Sequence, residues 1–131
     1  MNLQSLRIIT ADIKRLVHFY EKATALSAKW FTEDFAEINT GTCTIAIGST
    51  NTLDFFGGAI AEPASNKSII IEFCLENVDD HYIRIKEITK DIVQEPVTMP
   101  WDNRSLLFRD PDGSLINFFT PVTPEAIEKF S

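Results

Sequence analysis

The chain has 131 residues, 44% of them hydrophobic, and a formal net charge of −7. That length and apolar content suit one domain burying roughly two thirds of its unfolded surface, while an acidic balance without a basic cluster removes the counterion release that drives nucleic-acid binding. No apolar run approaches the roughly eighteen residues of a membrane span, and the opening "MNLQSLRIIT" lacks the order of a signal peptide, so a soluble, cytoplasmic protein without membrane or nucleic-acid partners is expected.

Taken in chain order, "SLRIIT" reads as a strand feeding the amphipathic helix "DIKRLVHFYEKATA", where Asp12 is placed as N-cap and Ile13, Leu16, Val17, Tyr20 and Ala23 share a face. "SAKWFTE", "FAEINT" and "CTIAIGS" follow as three short strands of an antiparallel meander. After the connection "STNTLDFFGGAIAEPASNK" comes the strand "SIIIEFCLE", then a second helix capped by Asn77, with Val78, Tyr82, Ile85 and Ile88 on one face. "IVQEPVTM", "RSLLF" and "SLINFFTP" supply three more strands, and "TPEAIEKF" a short terminal helix with Thr123 as N-cap and Pro124 in its first turn. Its Ile127 and Phe130 are expected to dock on a neighbouring surface.

The last two strands form a hairpin through Asp110, Pro111, Asp112 and Gly113, each suited to its turn position, with Gly113 accepting a positive φ. In the strand that follows, Leu115, Asn117 and Phe119 face one way and Ile116 and Phe118 the other. Phe73, Phe108 and Phe118 are expected in the core. Cys43 and Cys74 stand in apolar runs, outside any CxxC pair, and read as small buried hydrophobes that form no disulfide. His18 and His81 fall in the two helices and read as surface or packing residues.

The pattern β-α-β-β-β thus occurs twice. The expected class is α+β: two βαβββ modules forming a curved mixed sheet around a cavity, in a single domain spanning residues 1–131. Module one runs over about 1–60, module two over about 67–122, and the terminal helix over about 124–130.

Three stretches, "TADIKRLVHFYEKATAL", "FCLENVDD" and "FRDPDGSLINFFTP", together with the doubled order, resemble the vicinal oxygen chelate superfamily of glyoxalase I, bleomycin-resistance proteins and extradiol dioxygenases. One fold there hosts binders, lyases, isomerases and oxygenases. The resemblance implies that a metal-dependent member would draw its histidine and glutamate ligands from positions that fall here on Ser5, Ala46, Ile70 and Asn117. None is a histidine or carboxylate, so neither a metal nor any other cofactor is expected. It also implies a homodimer.

With Ser5 and Ile70 facing the cavity, Arg7, Ile9, Glu72 and Cys74 share that side, while Leu6, Ile8, Ile71, Phe73 and Leu75 pack inward. Arg7, Glu72 and Asn117 become polar lining in an apolar pocket. Phe119 stands on the same face as Asn117. Trp30, Phe56 and Trp101 are aromatic candidates for contact with a ligand; Trp101 could equally bury at a subunit interface.

Three functions are open at this point. The first is a metal-independent protein that binds a small aromatic or cationic molecule, as in antibiotic sequestration. The second is a glyoxalase-like lyase or isomerase, with unconventional metal ligands or with Glu72 as a metal-free base. The third is a non-catalytic structural module whose own side chains fill the cavity.

Overall fold

Asp12 ends one strand and starts one helix: its carboxylate accepts a hydrogen bond from the Arg15 amide at 3.1 Å, filling a donor the first helical turn leaves orphaned. This junction joins β1 (Ser5–Thr10) to α1 (Ile13–Thr24) in a computed structural model describing residues 1–131. The elements that follow are β2 (Lys29–Thr32), β3 (Phe35–Asn39), β4 (Thr44–Ser49) and a 3-10 helix over Thr50–Phe56. The second series is β5 (Ile70–Cys74), α2 (Val78–Ile88), β6 (Ile92–Thr98), β7 (Asn103–Arg109) and β8 (Leu115–Pro121), closed by α3 (Pro124–Lys129). No helix is long and apolar enough to cross a membrane.

The chain divides into two units, residues 1–66 with 111–113, and residues 67–110 with 114–131. Each contains one four-stranded mixed sheet, in the order β1-β4-β3-β2 and β5-β8-β7-β6. In both, the first strand pairs in parallel with the last and the remaining pairs are antiparallel.

Register fixes the faces of the first sheet. Ile8, Ile47 and Ala36 stand in one row and Leu6, Ile45 and Ile38 in another. The α1 residues Leu16, Val17, Tyr20 and Ala23 are buried, as are Ile38, Ile45 and Ile47, so this apolar face and the helix make the core. Arg7, Ala46 and Glu37 form a row on the opposite face, beside Ile9, Gly48 and Phe35. The second sheet repeats the division: Phe73, Phe118 and Leu106 share one row, while Glu72, Asn117 and Leu107 share a row on the other face. Phe118 is the centre of its core, with edge-to-face contacts to Phe73, Phe108 and the His81 imidazole.

The start of α2 departs from expectation. Asn77 occupies the N-cap position with φ 50° but makes no capping bond; its amide donates to Asp80 instead. The orphaned Val78 amide is taken by Thr120 Oγ1 at 2.9 Å, and the same hydroxyl donates to the Leu75 carbonyl at 2.8 Å. One side chain of β8 thereby fastens both ends of the β5–α2 junction. Arg104 of β7 adds a fork to Asp79 at 2.7 and 3.0 Å, and that bond holds the Asp79 carboxyl below the ordinary carboxylate range. Thr120→Val keeps the volume but strands a backbone donor and an acceptor, and is expected to cost about 1–3 kcal/mol. Faster hydrogen exchange at the Val78 amide should accompany the loss; unchanged exchange there would show that the hydroxyl is not the cap.

Two readings of single residues are corrected. Cys74 is exposed and Cys43 half-buried, because strand alternation puts Cys74 on the face away from α2 and Cys43 just precedes β4; both are free thiols. Phe73, expected in the core, is half-buried.

Candidate functional site

A concavity in the first unit lies on the face of the sheet turned away from α1, between β1, the β2–β3 turn and the 3-10 helix. Its volume is about 490 Å³, within the range usual for small-molecule sites. Local chemistry shapes it. Gly48 faces this side of β4, and without a side chain there the 3-10 helix can approach: a Cβ at Gly48 would stand 2.9 Å from Thr52 Oγ1. Ser49 caps that helix by accepting from the Asn51 amide, and Gly57 ends it with φ 92°. The result presents Phe55 and Phe56 to the pocket, 89% and 58% exposed in the free protein.

Opposite them stands Arg7, its guanidinium 4.8 Å from the centroid of Phe35 and 5.9 Å from that of Phe56. Both distances are within cation–π range. The β2–β3 turn adds Glu33 and Asp34. Asp34 is held in place: its Oδ1 accepts from the Ser49 hydroxyl at 2.6 Å and from the Asn51 side-chain Nδ2 at 3.2 Å. The pocket is thus an aromatic trough with one cation on its wall and carboxylates along the turn.

Of the residues singled out from the sequence, the structure brings Arg7 and Phe56 together here. Trp30 stands on edge strand β2, 41% exposed, outside the pocket lining. In the second unit Glu72 and Asn117 are direct cross-strand partners, joined by a bond from Asn117 Nδ2 to Glu72 Oε2 at 2.9 Å. The other amide atom, Asn117 Oδ1, is buried without a partner. Phe119, expected as lining, is only 6% exposed because Phe130 packs on it with ring centroids 5.0 Å apart. Phe130 thus docks on Phe119, while Ile127 stays 52% exposed. Trp101 is 63% exposed and borders a separate cavity of about 310 Å³ with Asn103, Glu125, Lys129 and Phe130.

The histidines take no part in either cavity. His18 is exposed on α1, and burial of His81, helped by the neighbouring Arg84 guanidinium, holds its imidazole below the ordinary histidine pKa. At the positions where a metal-dependent relative would place ligands, Ser5 is exposed, Ala46 is 1% exposed and Ile70 is 48% exposed. Asn117 completes the set. No group of three His, Cys, Asp or Glu side chains comes together that could hold an ion. This donor set does not fit a divalent metal, whose ligands must be deprotonated or rich in lone pairs.

The sequence model of the Glyoxalase/Bleomycin resistance protein/Dioxygenase superfamily matches residues 2–118. The chain belongs to this superfamily. A glyoxalase/bleomycin resistance protein/dioxygenase from Nocardioides is similar over 95% of this chain and 85% of its own, at 19% identity and a TM-score of 0.77. A family enzyme from Burkholderia phytofirmans PsJN is similar over 93% of this chain and all of its own (100%), at 15% identity and a TM-score of 0.83. At those identities the likeness shows the fold alone. Among curated proteins, YraH of Bacillus subtilis (strain 168) is 26% identical over 125 residues, covering 91% of this chain and 98% of YraH.

Sequence reasoning missed Phe35, Asp34 and Thr52 as lining residues. Phe35 opens β3 and enters the site only through its pairing with Gly48. The readable signal was "STNT": a serine followed by small polar residues is a capping sequence.

Proposed function

We propose that this superfamily member is a metal-independent binding protein that holds a small planar aromatic molecule in the trough formed by Arg7, Phe35, Phe55 and Phe56. The observation carrying this reading is the pair of exposed phenylalanines set against an arginine that already lies over two rings. Exposed aromatic surface gains most when a second ring covers it, through apolar burial and offset or edge contacts together. The donor set at the family's metal positions supports binding without an ion. A cationic ligand has less to gain, because Arg7 occupies the ring faces that would attract one. Sequestration, with no bond made or broken, is the activity that follows.

Calorimetric titration with neutral and charged naphthalene derivatives tests the reading. Phe55→Ala with Phe56→Ala should weaken binding by roughly tenfold or more, about 1.4 kcal/mol, with little loss of stability because both rings are exposed. Absence of heat with every arene, or affinity indifferent to both rings, would remove the proposal.

A further inference from the structure

Resting on that reading, the state of Arg7 narrows the class of ligand: we infer that the aromatic molecule carries a carboxylate or equivalent planar anion, bound end-on by the Arg7 guanidinium. The chain holds 19 Asp and Glu against 12 Lys and Arg, yet the Arg7 guanidinium has no carboxylate oxygen within 4.0 Å and no hydrogen bond to another side chain or to the backbone. What holds it is aromatic. The guanidinium carbon lies over the Phe35 and Phe56 rings, 4.8 and 5.9 Å from their centroids, and rings accept no conventional hydrogen bond from its N–H groups. A guanidinium held beside two rings, with no protein acceptor on its N–H groups, matches a carboxylate, which accepts two parallel N–H bonds. Pre-orientation spares the ligand the cost of ordering the side chain.

The two acidic neighbours do not close this site. Asp34 has Oδ1 committed to Ser49 and Asn51, and Glu33 is exposed on its turn, where water and salt screen it. The aryl ring then covers Phe55 and Phe56 while its carboxylate points along β1 to Arg7. Each half contributes: a bare anion lacks the trough, and a neutral arene leaves the fork unfilled.

Naphthoate, naphthamide and naphthylmethylammonium, which share one ring system and differ in charge, separate the possibilities by calorimetry. Naphthoate should bind roughly tenfold or more tighter than the amide, and Arg7→Met should bring the two affinities level by weakening naphthoate far more than the amide. Arg7→Lys should restore part of it, since charge returns without the fork. Equal affinity for acid and amide, or a preference for the ammonium, would overturn the inference while leaving an arene-binding trough. No binding by any of the three would overturn both.

Discussion

Phe118→Ala is expected to cost about 3–5 kcal/mol, the range for emptying a fully buried aromatic site. The ring is 2% exposed, and Phe73, Phe108 and His81 meet it with centroids 5.4, 5.0 and 6.0 Å away. Three edge-to-face partners fixed on two neighbouring strands and a helix cannot all collapse into the space left behind, so a cavity term adds to the lost transfer energy. Against a usual total of about 5–15 kcal/mol, the change would leave little margin. Urea unfolding followed by circular dichroism should show the midpoint falling steeply at constant slope, and Phe118→Leu should retain most of the stability. A loss under about 1 kcal/mol for the alanine variant would mean that this cluster is not the centre of the second core.

Gly48→Ala should combine a loss of about 1–3 kcal/mol with weaker arene binding. The new methyl would stand 2.9 Å from Thr52 Oγ1 and 3.6 Å from Ile9 Cδ1. Thr52 has little room to yield, since its hydroxyl is buried and donates to the Ser49 carbonyl at 2.7 Å. Relief must come from lifting the 3-10 helix, and that displaces Phe55 and Phe56. A double-mutant cycle isolates the cause: Thr52→Ala should be markedly less costly, or even favourable, once Gly48 is alanine. Additive effects would show that the clash is relieved elsewhere and that Gly48 does not set the height of the helix.

The strand and helix order was legible because it rests on local signals. Alternation placed Ile71 on the core face and Glu72 opposite, and Asp12 and Thr123 announced their helices and cap them as written. What escaped reading was non-local. The cap of α2 comes from Thr120, across a strand pairing that no window around Asn77 contains. Phe119 obeyed alternation and still became buried, because Phe130 of the following segment covers it. Cys74 was misjudged for a related reason: apolar neighbours in sequence are not neighbours on a face when the period is two residues. In the site, Arg7 and Phe56 could be named from charge and aromatic character. Their common partner Phe35 could not, since it arrives through the register of β3 on β4.

The pairing of each first strand with its last also orders events in time. Ser5 lies opposite Thr44, and Ile70 opposite Leu115, so β1 and β5 have no sheet partner until the last strand of their own sheet has been made. On a ribosome, each leading strand must therefore wait as an unpaired apolar segment while its helix and two intervening strands emerge. Closing so long a loop costs more entropy than closing the local hairpins, which are available earlier. During that interval α1 and α2, each directly following its waiting strand, are the nearest apolar surfaces able to shield it.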